Sequence, residues 1–208
     1  MPRALSKADI EGFRERLIDA AEHLFATHGL DAVTMRQLAG VLGVSPMTPY
    51  RYFKDKDDIL AAVRARAFNR HADALERAFD ETPGDVGTRA NAVGDAYVRF
   101  AFDNPEAYKL MFDINQPSER DYPELVAAED RSRATMTRHL RELIAAGLWQ
   151  GDAGLAGHMF WAALHGPIML AFSGKLEPGY DAETLIAALR DAIGRALFAD
   201  APREPLKA

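Results

Sequence analysis

The sequence predicts an all-α fold of about nine helices. Apolar residues recur at three- and four-residue steps along most of the 208 residues, and no convincing segment alternates apolar and polar residues as a strand does. Glycine and proline residues separate the periodic segments. With 48% hydrophobic and 27% charged residues, the chain has the composition of a folded globular protein, and its length fits one large or two small domains.

The first helix is predicted from an apolar stripe that ends at Gly29, because glycine commonly follows the last residue of a helix. The stripe has the spacing of one helix face, so we expect it to lie against the rest of the N-terminal region. It consists of Ile10, Phe13, Leu17, Ala21, Leu24 and Phe25.

Two short helices are predicted next. The earlier one follows Thr34, which makes a capping box with Gln37, and it ends at Gly43. The later one begins at Ser45, with Pro46 at its first position, where a missing N–H costs nothing. We expect it to end near residue 52 or 53.

The remaining helices are predicted from the same periodicity, from N-cap residues and from breaks at proline or glycine. The first of them is long and bridges two regions of the chain. In order, they span about 55–81, 86–100, 104–112, 123–147, 153–174 with a bend or interruption near Pro167, and 181–199, with a loop at 116–118 and a frayed tail after 199.

Several protein classes are disfavoured by composition. The chain has no cysteine, which excludes a disulfide scaffold, a thiolate zinc site and cysteine catalysis. Charges precede any apolar run at the N-terminus, so we see no secretory signal and expect a cytoplasmic protein. The segment from Ala153 to Gly174 has no charged residue and is long enough to cross a bilayer. Its histidines, proline and glycines favour a helix buried between protein surfaces instead.

The net charge of −6 argues at first against a nucleic-acid partner, since phosphate binding needs positive charge. The two capped short helices, however, are joined by a tight turn with glycine and have the spacing of a helix-turn-helix, whose second helix lies in the DNA major groove. This predicts an N-terminal three-helix DNA-binding domain ahead of a larger helical domain. Residues 34–56 contain one acidic residue, Asp55, and four basic residues, Arg36, Arg51, Lys54 and Lys56.

The run TMRQLAGVLGVSPMTPYRYFKDKDDIL at residues 34–60 resembles the N-terminal domain of the TetR family of bacterial transcriptional regulators. The preceding helix matches as well, so the close resemblance covers roughly residues 10–63. The sequence departs from the commoner pattern at Met47 and Pro49, where many relatives carry glycine and leucine, and Pro49 removes a hydrogen bond from a very short helix. The resemblance rests on Thr34, Ala39, Gly43, Val44, Ser45, Tyr50, Phe53 and Lys56.

The resemblance implies a role for each position in this run. Thr34 and the N–H groups beside it suit a phosphate, and Arg36 matches a position that can reach a guanine edge. Tyr50 could instead serve packing alone, and Lys54 could be a solvated surface charge. The implied DNA-binding residues are Thr34, Met35, Arg36, Ser45, Pro46, Met47, Thr48, Tyr50, Arg51, Tyr52, Lys54 and Lys56.

Trp161, followed by His165 and Gly166, is similar to the Trp…His-Gly signature of one class of TetR C-terminal domain. The resemblance implies a ligand-binding and dimerisation domain whose last two helices pair with those of a second copy as a four-helix bundle. His158 and His165 share a helix face, but without a third ligand they do not favour a metal site, and we predict no cofactor. The candidate ligand-binding residues, each equally compatible with plain core packing, are Tyr97, Phe100, Met111, Phe112, Met136, Phe160, Trp161 and His165.

The resemblance implies a DNA-binding domain at 1–60, a ligand-binding and dimerisation domain at 61–200, and a disordered tail at 201–208. The expected function is that of a repressor that binds a palindromic operator as a homodimer and is released when a small, largely apolar effector binds the C-terminal domain. A helical dimeric enzyme and a structural dimer without effector are the alternatives. The sequence offers no ordered Ser/His/Asp set, phosphate loop or paired metal ligands in support of an enzyme.

Overall fold

The computed structural model describes residues 6–113 and 119–198. These residues form eight α-helices and two short 3-10 helices, and none of them lies in a strand. The predicted all-α fold is confirmed. The α-helices are α1 (Lys7–His28), α2 (Met35–Val41), α3 (Lys56–Glu81), α4 (Val86–Asp103), α5 (Pro105–Met111), α6 (Pro123–Ala145), α7 (Ala153–Phe172) and α8 (Ala182–Phe198); the 3-10 helices are Pro49–Arg51 and Glu119–Asp121.

Packing divides the chain into two compact units. Of the described residues, the first unit holds 6–70, 106–113 and 119–130, and the second holds 71–105 and 131–198. The division therefore falls inside α3 and inside α6. The boundary expected at residue 60 separates a DNA-binding from a ligand-binding domain. The division into packed units does not test it, so it stays a prediction. The loop expected at 116–118 and the tail at 201–208 lie outside the described residues.

Helix α1 supplies the apolar face that the sequence predicts, except at its first position. Leu17, Ala21 and Phe25 are buried in one cluster with residues of α2 and α3. Ile10 is 39% exposed, so its place in the predicted stripe is wrong: it lies one turn before the part of α1 that packs on the cluster. Gly29 ends the helix as predicted, with a φ of 79° that other residue types rarely adopt.

The predicted capping box at the start of α2 is confirmed. The Gln37 N–H donates to the Thr34 hydroxyl oxygen, and the Thr34 N–H donates to the side-chain carbonyl of Gln37. Val33 and Leu38, on either side of the cap, are buried in the same cluster. The cap and the cluster together fix where α2 begins.

The second short helix differs from its prediction. Residues 46–48 form a turn, and only Pro49–Arg51 is helical, as a single turn of 3-10 helix. Pro49 has no N–H to donate to the Ser45 carbonyl, which accepts the Thr48 N–H at 2.8 Å instead. The prediction of a regular helix from Ser45 is therefore wrong, for a reason that lies in the residue at position 49.

In the second unit, α7 packs against α8 and α4. Asp152 caps α7, and Asp181 caps α8 by accepting the Thr184 N–H at 2.7 Å, as the sequence predicts. Helix α7 runs without interruption through Pro167, so of the bend or interruption expected there the interruption is wrong and the bend stays a prediction. Pro167 is buried, and we infer that packing around it offsets the missing backbone hydrogen bond.

Helix α7 is the one described helix that is long and apolar enough to span a bilayer. Length and composition are the only grounds for that assignment, and the core helix of a folded protein meets the same criteria. Its residues Ala163, Leu164 and Ile168 are buried within the chain. In total, 33% of the apolar window is buried inside the described part of the chain, and other apolar side chains of the helix, such as Leu155, are exposed. The buried helix expected from the sequence stays a prediction.

Candidate nucleic-acid interface

The first candidate DNA-binding residues surround the start of α2. Thr34 is exposed, and its hydroxyl donates to the Gln37 side chain at 2.9 Å within the capping box. Arg36 is exposed on the same turn. Met35, between them, is buried in the core cluster, a structural position that does not favour the predicted DNA contact. The turn offers one cation to solvent.

The turn after α2 presents the next candidates. Gly43, with a φ of 65°, redirects the chain at the end of α2. Ser45, Pro46 and Met47 are then exposed, Met47 to 67%, whereas Thr48 is half-buried. This turn therefore displays a hydroxyl, a proline ring and an apolar side chain to solvent.

The 3-10 helix carries two exposed candidates and leads to one that is held in place. Tyr50 is 48% exposed, which does not favour the alternative that it serves packing alone, and Arg51 is exposed as well. The Tyr52 ring packs on Phe13 with a centroid distance of 4.5 Å. The Tyr52 carbonyl accepts a hydrogen bond from Arg14 at 2.8 Å, which ties this segment to α1.

Two lysines flank the start of α3. Lys54 is exposed, and its backbone N–H donates to the Asp58 carboxylate at 2.9 Å. Lys56 is half-buried, and its Nζ donates to the Leu30 carbonyl at 2.7 Å. Lys56 therefore joins α3 to the segment between α1 and α2, a structural role that the sequence did not reveal.

The charged residues of this segment lie at its two ends in the sequence. Residues 37–50 include no charged side chain, whereas Arg36 precedes them and Arg51 and Lys54 follow them. All three cations are exposed. Cations suit the phosphates of a duplex, while neutral side chains can read base edges in a groove. The surface therefore has side chains suited to phosphates and side chains suited to base edges.

A connected group of side chains in the second unit includes three of the candidate ligand-binding residues. The Trp161 Nε1–H donates to the Tyr97 hydroxyl at 2.9 Å. The His71 ring lies edge-on to the rings of Tyr97 and Phe100, with centroid distances of 4.9 and 5.0 Å. The His71 Nδ1 is in hydrogen-bond contact with the Ser132 hydroxyl at 2.9 Å. Sequence reasoning missed His71, whose only signal is its place on the apolar face of α3.

Three further candidates also lie in the second unit. Met136 is buried, and Phe160 and His165 are half-buried. The ring of His165 lies 5.9 Å from that of Trp161, and the ring of Phe160 lies 6.2 Å from that of His139. Each of these two histidines therefore has an aromatic ring as a neighbour.

Met111 and Phe112 belong to the first compact unit instead. Met111 is buried, and its carbonyl accepts a hydrogen bond from Arg64 at 3.1 Å. The Phe112 ring contacts Phe68 and Tyr108 edge-on. In this unit, both residues have the contacts of core residues.

Burial lowers the pKa of three histidines of the second unit. Desolvation lowers the pKa of His71 to about 3 and, despite the opposing charge of Glu142, that of His139 to about 4. Desolvation lowers the pKa of His165 as well. Within the described residues, the Nε2 of His71 and the Nδ1 of His139 are buried without a hydrogen-bond partner. These are polar atoms in apolar surroundings.

An open groove of about 460 Å³ lies on the second unit between α3 and α6. Its charged walls and its position distinguish it from the apolar pocket that the sequence analysis expects. None of the candidate ligand-binding residues lines it. The lining consists of Glu76, Asp80, Arg131, Ala134, Thr135, Arg138, Arg141, Glu142 and Ala145.

Metal coordination finds no support in the described part of the chain. There, no group of three histidine, aspartate or glutamate side chains is placed to hold a metal ion. His158, one of the two histidines considered for such a site, instead contacts the Gly154 carbonyl through its Nδ1 at 2.7 Å.

Two family models match the chain. Residues 17–63 match the model of the bacterial regulatory proteins of the tetR family. Residues 90–193, half of the chain, match the model of the tetracyclin repressor-like C-terminal domain. The first match contains the candidate DNA-binding residues of α2, the turn and the lysines, and the second contains Trp161, His165 and Gly166.

Individual proteins agree with these matches. The HTH-type transcriptional regulator Rv1816 of Mycobacterium tuberculosis is 26% identical over 149 residues, which are 70% of this chain and 61% of that protein. The class D tetracycline repressor protein of Escherichia coli is 40% identical over 60 residues, 29% of this chain and 28% of that protein. The solved structure of a protein of unknown function from Rhodococcus sp. RHA1 is 31% identical, with a TM-score of 0.77 over 95% of this chain and 98% of that chain.

Proposed function

We propose that this chain, which belongs to the tetR family of bacterial regulatory proteins, is a transcriptional repressor that binds a palindromic operator as a homodimer and is released by a small effector. The proposal makes it a DNA-binding regulator rather than an enzyme, acting in the cytoplasm where its DNA lies. The E. coli relative named above is itself a repressor by its name, the class D tetracycline repressor protein.

The observation that carries the DNA-binding part is the exposed surface between Arg36 and Lys54. In the sequence of this segment, exposed cations flank a run of residues without charged side chains. Phosphate contacts position a protein on DNA, and base contacts give it sequence preference. In a dimer, two such surfaces about 34–36 Å apart would meet successive major grooves on one side of a duplex.

The dimer part of the proposal is supported by apolar side chains on and near the last two helices. Leu155 and Leu170 of α7 and Tyr180 ahead of α8 are exposed, Leu155 and Tyr180 to more than 60%. Large exposed apolar side chains in one region often mark a protein interface. Sedimentation of the purified chain tests this: a Leu155→Glu variant is expected to shift the equilibrium towards monomer, and Val41→Glu, at an equally exposed site elsewhere, is not.

The effector part is supported by the side chains around His71. Tyr97, Phe100 and Trp161 provide aromatic surface, and the His71 Nε2 is a buried polar atom without a partner in the described residues. Such surroundings suit a small, largely apolar molecule with one polar group. A ligand of this kind that binds the folded protein must raise its apparent stability, so a thermal-shift screen followed by DNA release tests this part.

Titration of fluorescent duplexes from the region upstream of the chain's own coding sequence tests DNA binding. We expect tight binding to one such duplex, weaker binding to scrambled DNA, and a loss of affinity as salt rises. Arg36→Ala should relax the base preference, whereas Lys54→Ala should weaken all duplexes about equally and lower the salt dependence. Arg141→Ala, at an exposed arginine outside the interface, is the matched control. Equal affinity for all duplexes would overturn the proposal.

A further inference from the structure

The part of the interface that would face base edges is unusual in its chemistry. Between Arg36 and Arg51 the chain has fourteen residues without a charged side chain. The exposed side chains on the turn and the 3-10 helix in this stretch are Ser45, Pro46, Met47 and Tyr50. Met47 is 67% exposed and Tyr50 is 48% exposed.

The turn holds Met47 in a defined position. The Thr48 N–H donates to the Ser45 carbonyl at 2.8 Å, so Met47 lies inside a closed turn. Pro46 restricts the backbone on one side of the turn, and the buried Pro49 restricts it on the other. A side chain on so restricted a backbone loses little backbone entropy when it meets a partner.

The chemistry of this stretch selects among base pairs. Guanine is read best by arginine or lysine, adenine by asparagine or glutamine, and cytosine by a carboxylate. The exposed turn from Ser45 to Thr48 has none of these side chains. Thymine presents a C5-methyl group in the major groove, and an apolar side chain is the partner that this methyl group suits.

We propose that Met47 contacts thymine C5-methyl groups in the major groove, so that the centre of each operator half-site is specified by methyl contact, with the cations at either edge on phosphates or a flanking guanine. This rests on the proposed function and adds the base that the turn reads. The occupant is DNA rather than another protein because exposed cations precede and follow the apolar side chain in the sequence, and cations bind phosphates.

Replacement of thymine by uracil tests the inference, because it removes the methyl group and keeps both hydrogen-bonding groups. The operator is first selected from randomised duplexes, and thymines of its half-sites are then replaced one position at a time. We expect affinity to fall about fourfold for each contacted methyl group, and about sixteenfold when both symmetry-related half-sites are changed.

Variants at position 47 identify the side chain responsible. Met47→Ala should bind the thymine operator as weakly as the parent binds the uracil operator, and should no longer distinguish the two. Met47→Leu retains an apolar side chain and should keep most of the discrimination. Ile144→Ala removes an exposed apolar side chain of α6, outside the interface, and it should discriminate as the parent does.

Three outcomes decide the matter. Uracil sensitivity that Met47→Ala abolishes supports the inference. Equal affinity of the parent protein for thymine and uracil operators, or discrimination that persists in Met47→Ala, overturns it while leaving the proposed repressor function intact. Failure to select any preferred sequence would overturn the proposed function itself. Because Met47 is exposed, circular dichroism should show that each variant folds as the parent does.

Discussion

An arginine cluster at the surface of the first unit and two buried histidines of the second unit hold their titratable groups in different ways. In the first unit, Arg66 of α3 contacts three carboxylates of α1 at a partly exposed surface. In the second unit, His71 and His139 are buried, and each has one ring nitrogen without a partner among the described residues. The charged groups of the arginine cluster are partly in contact with water. The arrangement in the second unit is stable only while the histidines are neutral.

This difference predicts how salt and pH affect the stability of each unit. Exposed ion pairs contribute little to stability and are screened by salt. A buried histidine that must stay neutral makes stability depend on pH, because the unfolded chain binds a proton that the folded chain does not. We therefore expect the second unit to respond strongly to acid and the first to respond only weakly to salt.

Acid should have the largest effect. The folded pKa values of His71 and His139, about 3 and about 4, lie below the unfolded value of 6.5, so their contribution is complete above pH 6.5 and is lost as pH falls. Proton binding by each histidine in the unfolded chain should lower the free energy of unfolding by about 1.4 kcal/mol per pH unit below 6.5. For both histidines together this is about 4 kcal/mol at pH 5. Urea unfolding at pH 7.5 and pH 5, followed by tryptophan fluorescence, measures this. Both tryptophans of the chain, Trp149 and Trp161, lie in the second unit.

Variants show whether the buried histidines are responsible. His71→Asn retains a polar side chain near Ser132 without a titrating ring, and it should halve the loss of stability between pH 7.5 and pH 5. His158→Asn, at an exposed ring, should leave that loss unchanged. A His71→Asn variant with the full pH dependence of the parent would remove the distinction between the two units.

Truncation of the core of the first unit should have the next largest effect. Leu38 is completely buried in α2, so Leu38→Ala should lower the free energy of unfolding by about 3 kcal/mol through lost burial and the cavity left behind. Unfolding in urea followed by circular dichroism measures the loss. Val41→Ala, at an exposed position of the same helix, should change it by less than about 0.5 kcal/mol. Similar losses for both variants would contradict the packing described for α2.

Features that depend on neighbouring residues could be predicted from the sequence. Caps and helix ends depend on residues three or four positions apart, so the capping box at Thr34, the caps at Asp152 and Asp181 and the end of α1 at Gly29 were all predicted correctly. The 3-10 helix at Pro49 also has a local cause, the missing N–H of Pro49. That residues 46–48 would form a turn instead of helix was seen only in the structure.

Contacts between distant segments could not be predicted. Met35 and Arg36 are adjacent in the sequence, yet one is buried and the other exposed. His71 meets Tyr97 and Ser132 only because α3, α4 and α6 come together. Periodicity indicates which face of a helix is apolar, but it does not say which helix covers that face.

Loss of a helix cap should have a similar, smaller effect in either unit. Thr34→Ala removes the cap of α2 and Asp152→Ala that of α7, and each should cost about 1 kcal/mol because one N–H group loses its partner. Thr34→Ser, which keeps the hydroxyl, should be close to neutral. Unfolding is followed by circular dichroism for Thr34 and by tryptophan fluorescence for Asp152. A loss confined to one unit would show that the units differ in local as well as in buried interactions.

Loss of the arginine cluster in the first unit should have the smallest effect. Arg66 contacts Glu15, Asp19 and Glu22 of α1, but its side chain is 21% exposed and those of Glu15 and Asp19 are more than half exposed. Arg66→Met keeps much of the aliphatic packing and removes the charge, so it should cost less than about 1 kcal/mol at low salt and almost nothing in 1 M NaCl. Urea unfolding by circular dichroism at both salt concentrations measures the cost. A cost of several kcal/mol that salt does not reduce would mean that these pairs act as buried ones do, and the contrast between the two units would then lie in their histidines alone.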